Sequence, residues 1–316
     1  MNLVTVTKEF KTDADCRAYL EKVRWPNGVR CQRCDETKIS RLTITDTRRD
    51  TTVTREIFDC AACHYQFTVT AGTVFHDSHL PLTTWFMVVA MMCEAKKGVS
   101  ANQVKRHFGI QYRTAWYLCH RIRKAMEAGN IFGKLGGGGK IVEADETYIG
   151  GKYDKRRKRN RYEKPGVMGI VERGGKIRTE VIPTPSKAVL IGKIREHVAK
   201  DVKLVMTDEA TAYQKLGEHF PHAVVNHSAL EFVRGGVFHT NTVENHWSLL
   251  KRGIVGSFHK VSLKHLPLYL TEFSYRYNRR SEEASLFSQT MTHLVQSRHM
   301  TYNDLVGKQP TQKIPF

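Results

Sequence analysis

Two aspartates occupy positions where a carboxylate could bind a metal ion. Asp145 ends the apolar run "IVEAD" and Asp208 ends the apolar run "KLVMTD", so both are predicted at the ends of buried strands. A carboxylate that loses its water is unfavourable unless a cation or a hydrogen-bond donor compensates. We therefore expect a metal site at the edge of a sheet.

A third acid, Glu244, lies near the start of a predicted helix, "TVENHWSLLKRGI". Apolar residues recur there at helical spacing and predict a buried stripe: Val243, Trp247, Leu250 and Ile254. Glu244, Ser248 and Lys251 fall on the adjacent stripe, which places a carboxylate and an ammonium on one accessible face. We expect this face to point Glu244 toward Asp145 and Asp208.

Other acids stand beside these residues. Glu146 and Glu209 directly follow the two aspartates, and adjacent strand residues point to opposite faces of a sheet. Glu143 shares the face of Asp145 but lies one pleat earlier. None of these three is expected to be a metal ligand.

The charge of the chain favours a polyanionic partner. Lys and Arg number 50 against 31 Asp and Glu, which gives a formal net charge of +19. Each phosphate that Lys or Arg neutralises releases condensed counterions, so nucleic acid is the expected partner. The alternative is a basic soluble protein or one that binds anionic lipid. No apolar run is long enough for a signal peptide or a membrane span, so a cytoplasmic protein is expected.

Two Cys-x-x-Cys pairs have the spacing of a zinc site. The four residues are Cys31, Cys34, Cys60 and Cys63. Two such pairs complete a tetrahedral four-sulfur site for Zn²⁺, and the Thr-, Ile- and Val-rich sequence between them predicts a β-hairpin. The stretch "CAACH" also matches the haem-attachment pattern, which would leave the first pair unexplained. The spacing therefore favours a zinc ribbon.

Three helices are predicted after the ribbon. "PLTTWFMVVAMMCEAKK" predicts a buried helix, and Ser100 and Gln103 form the capping pattern of a second helix, which Gly109 ends. The third helix has an apolar residue at every third or fourth position: Ala115, Leu118, Ile122 and Met126. Basic residues, including Arg121 and Arg123, are expected on its wetter faces.

A short helix, a glycine turn and a longer basic helix form the outline of a helix-turn-helix. In that arrangement the first residues of the second helix contact DNA: Gln111, Tyr112, Arg113 and Thr114. The alternative is an ordinary three-helix bundle with a solvated basic face.

Downstream, "GKLGGGGK" at residues 133–140 predicts a linker. Short apolar runs and a helix at residues 187–200 then predict a mixed sheet covered by helices. The basic run at residues 152–164 could hold DNA through residues that include Arg156, Arg157, Lys158 and Arg159. A solvated hairpin tip or a nuclear-localisation segment is the alternative for this run.

The order of these motifs resembles the ISXO-type insertion-sequence transposases of bacteria. The resemblance covers roughly residues 31–280: a zinc ribbon, a helix-turn-helix, "VEADETYIGGK", "VMTDEATAY" and "HTNTVENHWSLLKRGI". It implies the fold class of the DDE transposases, an α/β RNase H-like mixed sheet flanked by helices. The implied catalytic residues are Asp145, Asp208 and Glu244.

The resemblance also implies a reaction. Asp145 would bridge two Mg²⁺ or Mn²⁺ ions, while Asp208 and Glu244 would hold one each. Water would first free a 3′-hydroxyl at the transposon end, and this hydroxyl would then attack target DNA. Lys251 and Arg252 would hold the backbone phosphates.

The implied partners are the terminal inverted repeats and the target DNA, bound by at least a homodimer that associates with the nucleoid. The predicted domains are the zinc ribbon (1–78), the helix-turn-helix (79–132), the linker (133–140), the catalytic domain (141–285) and a C-terminal tail (286–316). Two other functions stay open: a DNA-binding regulator that has lost catalysis, and another RNase H-like nuclease such as a resolvase or repair enzyme.

Overall fold

The chain folds into two compact units, each defined by the contacts among its own residues. Unit 1 comprises Met1–Glu94, Ala101–Ala128 and Ala284–Phe316, and unit 2 comprises Ala95–Ser100 and Gly129–Glu283. The computed structural model describes residues 1–48, 51–150, 166–208, 211–225, 240–282 and 284–307. The predicted domain bounds stay predictions, and each unit has its own architecture.

Unit 1 begins with two helices and a three-strand antiparallel sheet. These elements are α1 (Leu3–Glu9), α2 (Asp13–Arg24), β1 (Ile39–Arg48), β2 (Thr51–Cys60) and β3 (Gln66–Phe67). Thr12 and Asp15 form a capping box that fixes the start of α2. Strands β1 and β2 pair from Ile39↔Cys60 outward. The hairpin between the two cysteine pairs is therefore as predicted.

The three predicted helices of unit 1 are α3 (Leu82–Glu94), α4 (Ala101–Phe108) and α5 (Tyr112–Ala128). Gly109 follows α4 with a φ of 63°, a left-handed conformation that glycine adopts without a steric penalty. The predicted apolar stripe of α5 is buried: Ala115, Leu118, Ile122 and Met126. A short helix, a glycine turn and a longer helix thus follow one another in the chain.

The prediction that Arg121 and Arg123 lie on wetter faces is wrong, because their exposed fractions are only 3% and 2%. The guanidinium of Arg121 donates to the carbonyl oxygen of His76 at 2.8 Å and also to that of Val74. It also lies over the ring of Trp85, 5.0 Å from the centroid. These acceptors compensate for the water that a buried guanidinium loses.

The carboxyl-terminal part of unit 1 contains α9 (Leu286–Gln296) and α10 (Tyr302–Val306), which the sequence did not predict. Phe287 of α9 is buried, and its ring stacks 6.1 Å from that of Phe10. The side chains of Thr290 and Cys93 lie 3.3 Å apart. Helix α9 is therefore part of the core of unit 1.

Unit 2 is built on a mixed sheet of five strands. The strands are β4 (Ile141–Tyr148), β5 (Gly166–Glu172), β6 (Ile177–Ile182), β7 (Leu204–Asp208) and β8 (His222–Val225), in the order β6-β5-β4-β7-β8. Strand β5 runs antiparallel to both β4 and β6, whereas β4, β7 and β8 run parallel to one another. The sequence did not predict β8.

Helices cover both faces of this sheet, as predicted. They are α6 (Lys187–His197), α7 (Asn241–Gly253) and α8 (Leu266–Asn278), and α7 continues as a π-helix, Ile254–Phe258. Val142 and Ala144 of β4 pack in one core with α6, whereas Val167 and Val171 of β5 pack in another with α7 and α8. The α/β class with a mixed sheet flanked by helices is therefore confirmed.

The glycine run that predicted a linker forms a turn leading into β4. Leu135 is 2% exposed and forms a parallel bridge with Val198. The N–H of Gly136 donates to the carboxylate of Glu172 at 2.8 Å. Leu135 and Gly136 are therefore packed within unit 2, whereas Gly133, Lys134 and residues 138–140 are exposed. Within the part of the chain that the structure describes, no helix is both long and apolar enough to cross a membrane.

Candidate active site

A cleft of about 380 Å³ opens at the edge of the sheet in unit 2. Its lining residues come from β4, from the end of β7 and from α7: Asp145, Glu146, Thr147, Asp208, Glu244, Trp247, Ser248 and Lys251. All three acids of the predicted triad and the predicted lysine therefore line one cleft.

The register of two parallel strands brings the aspartates side by side. Strands β4 and β7 pair from Ile141↔Leu204 to Glu143↔Met206. Asp145 and Asp208 each lie two residues past the last of these pairs, on neighbouring strands. Asp208 ends β7 as predicted, whereas β4 continues past Asp145 to Tyr148, so the prediction that Asp145 ends its strand is wrong.

Helix α7 supplies Glu244 from its first turn. The predicted apolar stripe is buried against the sheet: Val243, Trp247, Leu250 and Ile254. The neighbouring stripe of Glu244, Ser248 and Lys251 faces the cleft, as the spacing predicts. The hydroxyl of Thr240 donates to Oε1 of Glu244 at 2.7 Å and orients its carboxylate.

The carboxylate of Asp145 is strongly perturbed. Burial raises its pKa to about 7, and the negative charges of Asp208 and Glu146 act in the same direction. The indole N–H of Trp247 donates to Oδ2 of Asp145 at 2.9 Å and lowers this pKa. A bound cation would favour the ionised form and offset the repulsion between the acids.

Gly169 of β5 provides the space for the indole of Trp247. It pairs with Asp145 across the two strands. A Cβ atom at position 169 would lie 2.5 Å from Cζ2 of Trp247. Only a glycine lets the indole lie against the sheet at this point and reach Asp145. No motif in the sequence identified this residue.

A fourth carboxylate, that of Glu146, lines the same cleft. Its partner Tyr213 belongs to the core beside α6, whereas Trp247, the partner of Asp145, belongs to the core beside α7, so the two neighbouring acids lie toward opposite faces of the sheet. The hydroxyl of buried Tyr213 donates to Oε2 of Glu146 at 2.5 Å. Burial raises the pKa of Glu146, although the bond from Tyr213 lowers it, and the charge of Asp208 raises it further. Glu209 lies outside the described residues.

The donor set of the cleft fits a hard divalent cation. All four carboxylates offer oxygen ligands, which Mg²⁺ and Mn²⁺ prefer. Their mutual repulsion and burial leave negative charge that a cation would neutralise. The three predicted acids line a common cleft. Among the described residues, however, only the four cysteines have ligand atoms that already lie close enough together to share one ion.

The sulfurs of Cys31, Cys34, Cys60 and Cys63 lie within 4.8 Å of one another in unit 1. The Sγ–Sγ distances are 3.6 Å between Cys31 and Cys63, 3.5 Å between Cys34 and Cys60, and 3.4 Å between Cys34 and Cys63. Four sulfurs in a tetrahedron around Zn²⁺, at ~2.3 Å from the ion, lie ~3.8 Å apart. The four cysteines therefore form a zinc-type site, and the haem pattern would explain only the second pair.

The predicted DNA contacts have different surroundings. Gln111, Tyr112 and Arg113 are exposed at the start of α5 in unit 1, and Thr114 is half-buried. In unit 2, the exposed Arg252 donates to Oγ of Ser248 at 2.7 Å. The other four predicted contacts, Arg156, Arg157, Lys158 and Arg159, lie outside the described residues.

Known proteins match both units of the chain. Residues 134–278 match the ISXO2-like transposase domain, and residues 11–66 match the transposase zinc-ribbon domain. The chain is 29% identical over 293 residues to an uncharacterised protein in transposable element ISH50 of Halobacterium salinarum, an alignment that covers 85% of this chain and 92% of that protein.

A solved structure gives a much weaker match. It is the cryoEM structure of simian T-cell lymphotropic virus intasome in complex with PP2A regulatory subunit B56 gamma, with 13% identity and a TM-score of 0.30. The match covers 60% of this chain and 65% of that chain. The similarity of the chain to transposases therefore comes from the two matched domains and from the relative in the transposable element.

Proposed function

We propose that the chain is an ISXO-like insertion-sequence transposase, which cuts DNA at transposon ends and joins the 3′-hydroxyl ends to target DNA. The observation that carries this proposal is the single cleft lined by Asp145, Asp208, Glu244 and Lys251. A cleft with these acids suits phosphoryl transfer, because it offers oxygen ligands for divalent cations beside a cationic side chain for a phosphate.

Each residue has a distinct role in this proposal. Asp145 and Asp208, on neighbouring strands, and Glu244 from α7 would hold Mg²⁺ or Mn²⁺. Such ions, when bound, activate the attacking oxygen and stabilise the leaving oxygen. Lys251 would hold a phosphate beside the scissile bond, and the indole of Trp247 would orient Asp145.

The zinc-type site of the ribbon has a different proposed role. Zn²⁺ would fix the hairpin of β1 and β2, and the exposed residues at the start of α5 would contact the terminal repeats. Joining two ends in one reaction requires at least two active sites, so we propose a homodimer or larger assembly on DNA. Light scattering of a strand-transfer-competent complex that reported one chain would contradict the dimer.

A strand-transfer assay with the cognate ends tests the proposed function. Asp145→Asn, Asp208→Asn and Glu244→Gln should each reduce joining by roughly 1,000-fold or more while DNA binding is retained. Glu196→Gln is the matched control, because this half-exposed carboxylate of α6 does not line the cleft. Cuts without joined products would indicate another nuclease, and binding without cuts would indicate a regulator.

A further inference from the structure

Glu143 connects the catalytic strand to the helix that carries Glu244. We propose that Glu143 is a positioning residue, which holds α7 in the register that brings Glu244 to Asp145. This inference rests on the proposed function, because it assigns Glu143 a purpose in assembling that site. The sequence pattern predicted no metal-binding role for Glu143, which lies one pleat before Asp145.

The carboxylate of Glu143 receives the first N–H groups of α7. The N–H groups of Thr242 and Val243 donate to its Oε2 at 2.9 and 3.2 Å. The hydroxyl of Thr242 donates to its Oε1 at 2.9 Å. The first N–H groups of a helix have no acceptor within the helix, and a negative charge there is favoured by the helix dipole. The N-cap residue, Thr240, makes no side-chain cap of its own.

Glu143 itself is held by an ion pair. Its side chain is fully buried, and Nε of Arg173 donates to its Oε1 at 2.7 Å. The backbone N–H of Arg173 donates to the carbonyl oxygen of Ile141 at 3.0 Å, so the arginine is fixed to the same strand. A buried carboxylate with this number of donors has a defined position.

Helix α7 is therefore attached to β4 at two points. Glu143 binds the helix at Thr242 and Val243, and Asp145 binds it at Trp247, about one turn further on. Glu143 and Asp145 share one face of β4, and Glu244 lies between the two attachments. A slip of α7 by one residue would rotate Glu244 by about 100° around the helix axis. The two attachments prevent such a slip.

The role of Glu143 requires a carboxylate. Its side chain has no exposed surface and does not line the cleft, so it acts through α7. Glutamine has the same shape but offers one acceptor oxygen, and its amide donors would face the donors of α7 or Arg173. Glu143→Gln should therefore loosen the first turn of α7 and displace Glu244.

Two measurements compare Glu143→Gln with a matched control. The control is Glu272→Gln, because Glu272 of α8 is equally buried and also pairs with an arginine, Arg276. In the metal-free protein, amide hydrogen exchange in the first turn of α7 should become faster in Glu143→Gln alone. Calorimetric titration with Mn²⁺ should show roughly 10-fold weaker binding in Glu143→Gln and unchanged binding in the control.

The outcomes separate this inference from the proposed function. Wild-type exchange and Mn²⁺ affinity in Glu143→Gln would overturn the positioning role. If Glu143→Gln does not fold, Thr242→Val decides, because it removes one donor to Glu143 and should produce smaller changes in the same direction. If Glu244→Gln leaves Mn²⁺ binding unchanged, the proposed function fails, and hydrogen exchange still decides the role of Glu143.

Discussion

The indole N–H of Trp247 donates to Oδ2 of Asp145 at 2.9 Å, so a residue on the buried stripe of α7 contacts an acid of the cleft directly. The contact depends on Gly169, the cross-strand partner of Asp145, which leaves room for the indole. A packing residue therefore also determines the orientation and the proton affinity of the acid.

Replacement of this indole should change the pH dependence of the reaction. Trp247→Phe keeps an aromatic ring in the core but removes the donor, so the already raised pKa of Asp145 should rise further. Cleavage with Mg²⁺ at pH 7 should fall by roughly fivefold, as expected for the loss of ~1 kcal/mol. Rates measured from pH 6 to 9 should show the rising limb at higher pH. Trp116→Phe in unit 1 is the control, and a profile identical to that of the wild type would contradict this role.

A methyl group at position 169 should disturb the same contact. In Gly169→Ala the new Cβ would lie 2.5 Å from Trp247, so the indole must move. We expect the free energy of unfolding to fall by about 1–3 kcal/mol, as in an overpacked core, measured by urea denaturation. Gly192→Ala in α6, where nothing lies within 4 Å, should leave the protein equally or more stable. Equal stability of both variants would contradict the steric conflict predicted between a Cβ atom at position 169 and the indole.

The raised pKa of Asp145 predicts a pH-dependent stability of the metal-free protein. Its folded-state pKa of about 7 lies above the ordinary value of 3.8, so the folded state binds the proton more tightly than the unfolded state does. The wild type should lose stability as the pH rises from 4 to 7 relative to Asp145→Asn, which has no charge there. The difference in Tm between the two proteins should be largest above pH 7 and vanish near pH 4. A constant difference across this range would contradict the assigned pKa.

Removal of a cysteine ligand should show that the two proposed metal sites bind their ions independently. Cys63→Ser should lose bound zinc, measured by atomic absorption, because three remaining thiolates leave the tetrahedral site incomplete. Mn²⁺ binding at the cleft in unit 2 should be unchanged. Cys119→Ala is the control, since Cys119 is buried in α5 outside this group. Full zinc content in Cys63→Ser would rule out the four-sulfur site.

A single arginine at the start of α5 should contribute to DNA affinity. Arg113 is exposed, and its guanidinium lies 4.1 Å from the ring centroid of Tyr302. If Arg113 contacts a phosphate, Arg113→Ala should reduce the slope of log K against log salt concentration, measured for terminal-repeat binding, by about one. Lys124→Ala, at the exposed far end of α5, should leave the slope unchanged. Equal slopes for both variants and the wild type would remove Arg113 from the interface.

Periodicity and spacing were sufficient to predict several parts of this structure. The buried and cleft-facing stripes of α7 follow from helical geometry, which fixes the face of each residue. The convergence of the cysteines follows from their short local spacing, since two residues between sulfurs leave few arrangements. The class of the sheet followed from its apolar runs.

Other features depend on contacts between distant segments, which local patterns do not contain. The burial of Arg121 requires carbonyl groups from another loop, and the role of Gly169 requires knowledge of its cross-strand partner. Strand alternation predicted opposite faces for Asp145 and Glu146, but it could not predict that both acids would line one cleft. The contacts of Glu143 become visible only once α7 lies against β4.

In the proposed function, the acids of one cleft bind divalent cations that act on DNA. Anomalous diffraction from crystals of the protein with end-bearing DNA and Mn²⁺ tests it directly. We predict manganese peaks in the cleft of unit 2 within bonding distance, ~2.2 Å, of oxygens from Asp145, Asp208 and Glu244. A difference map with no manganese in this cleft, or with manganese bound to none of these three carboxylates, would rule out the proposed metal site.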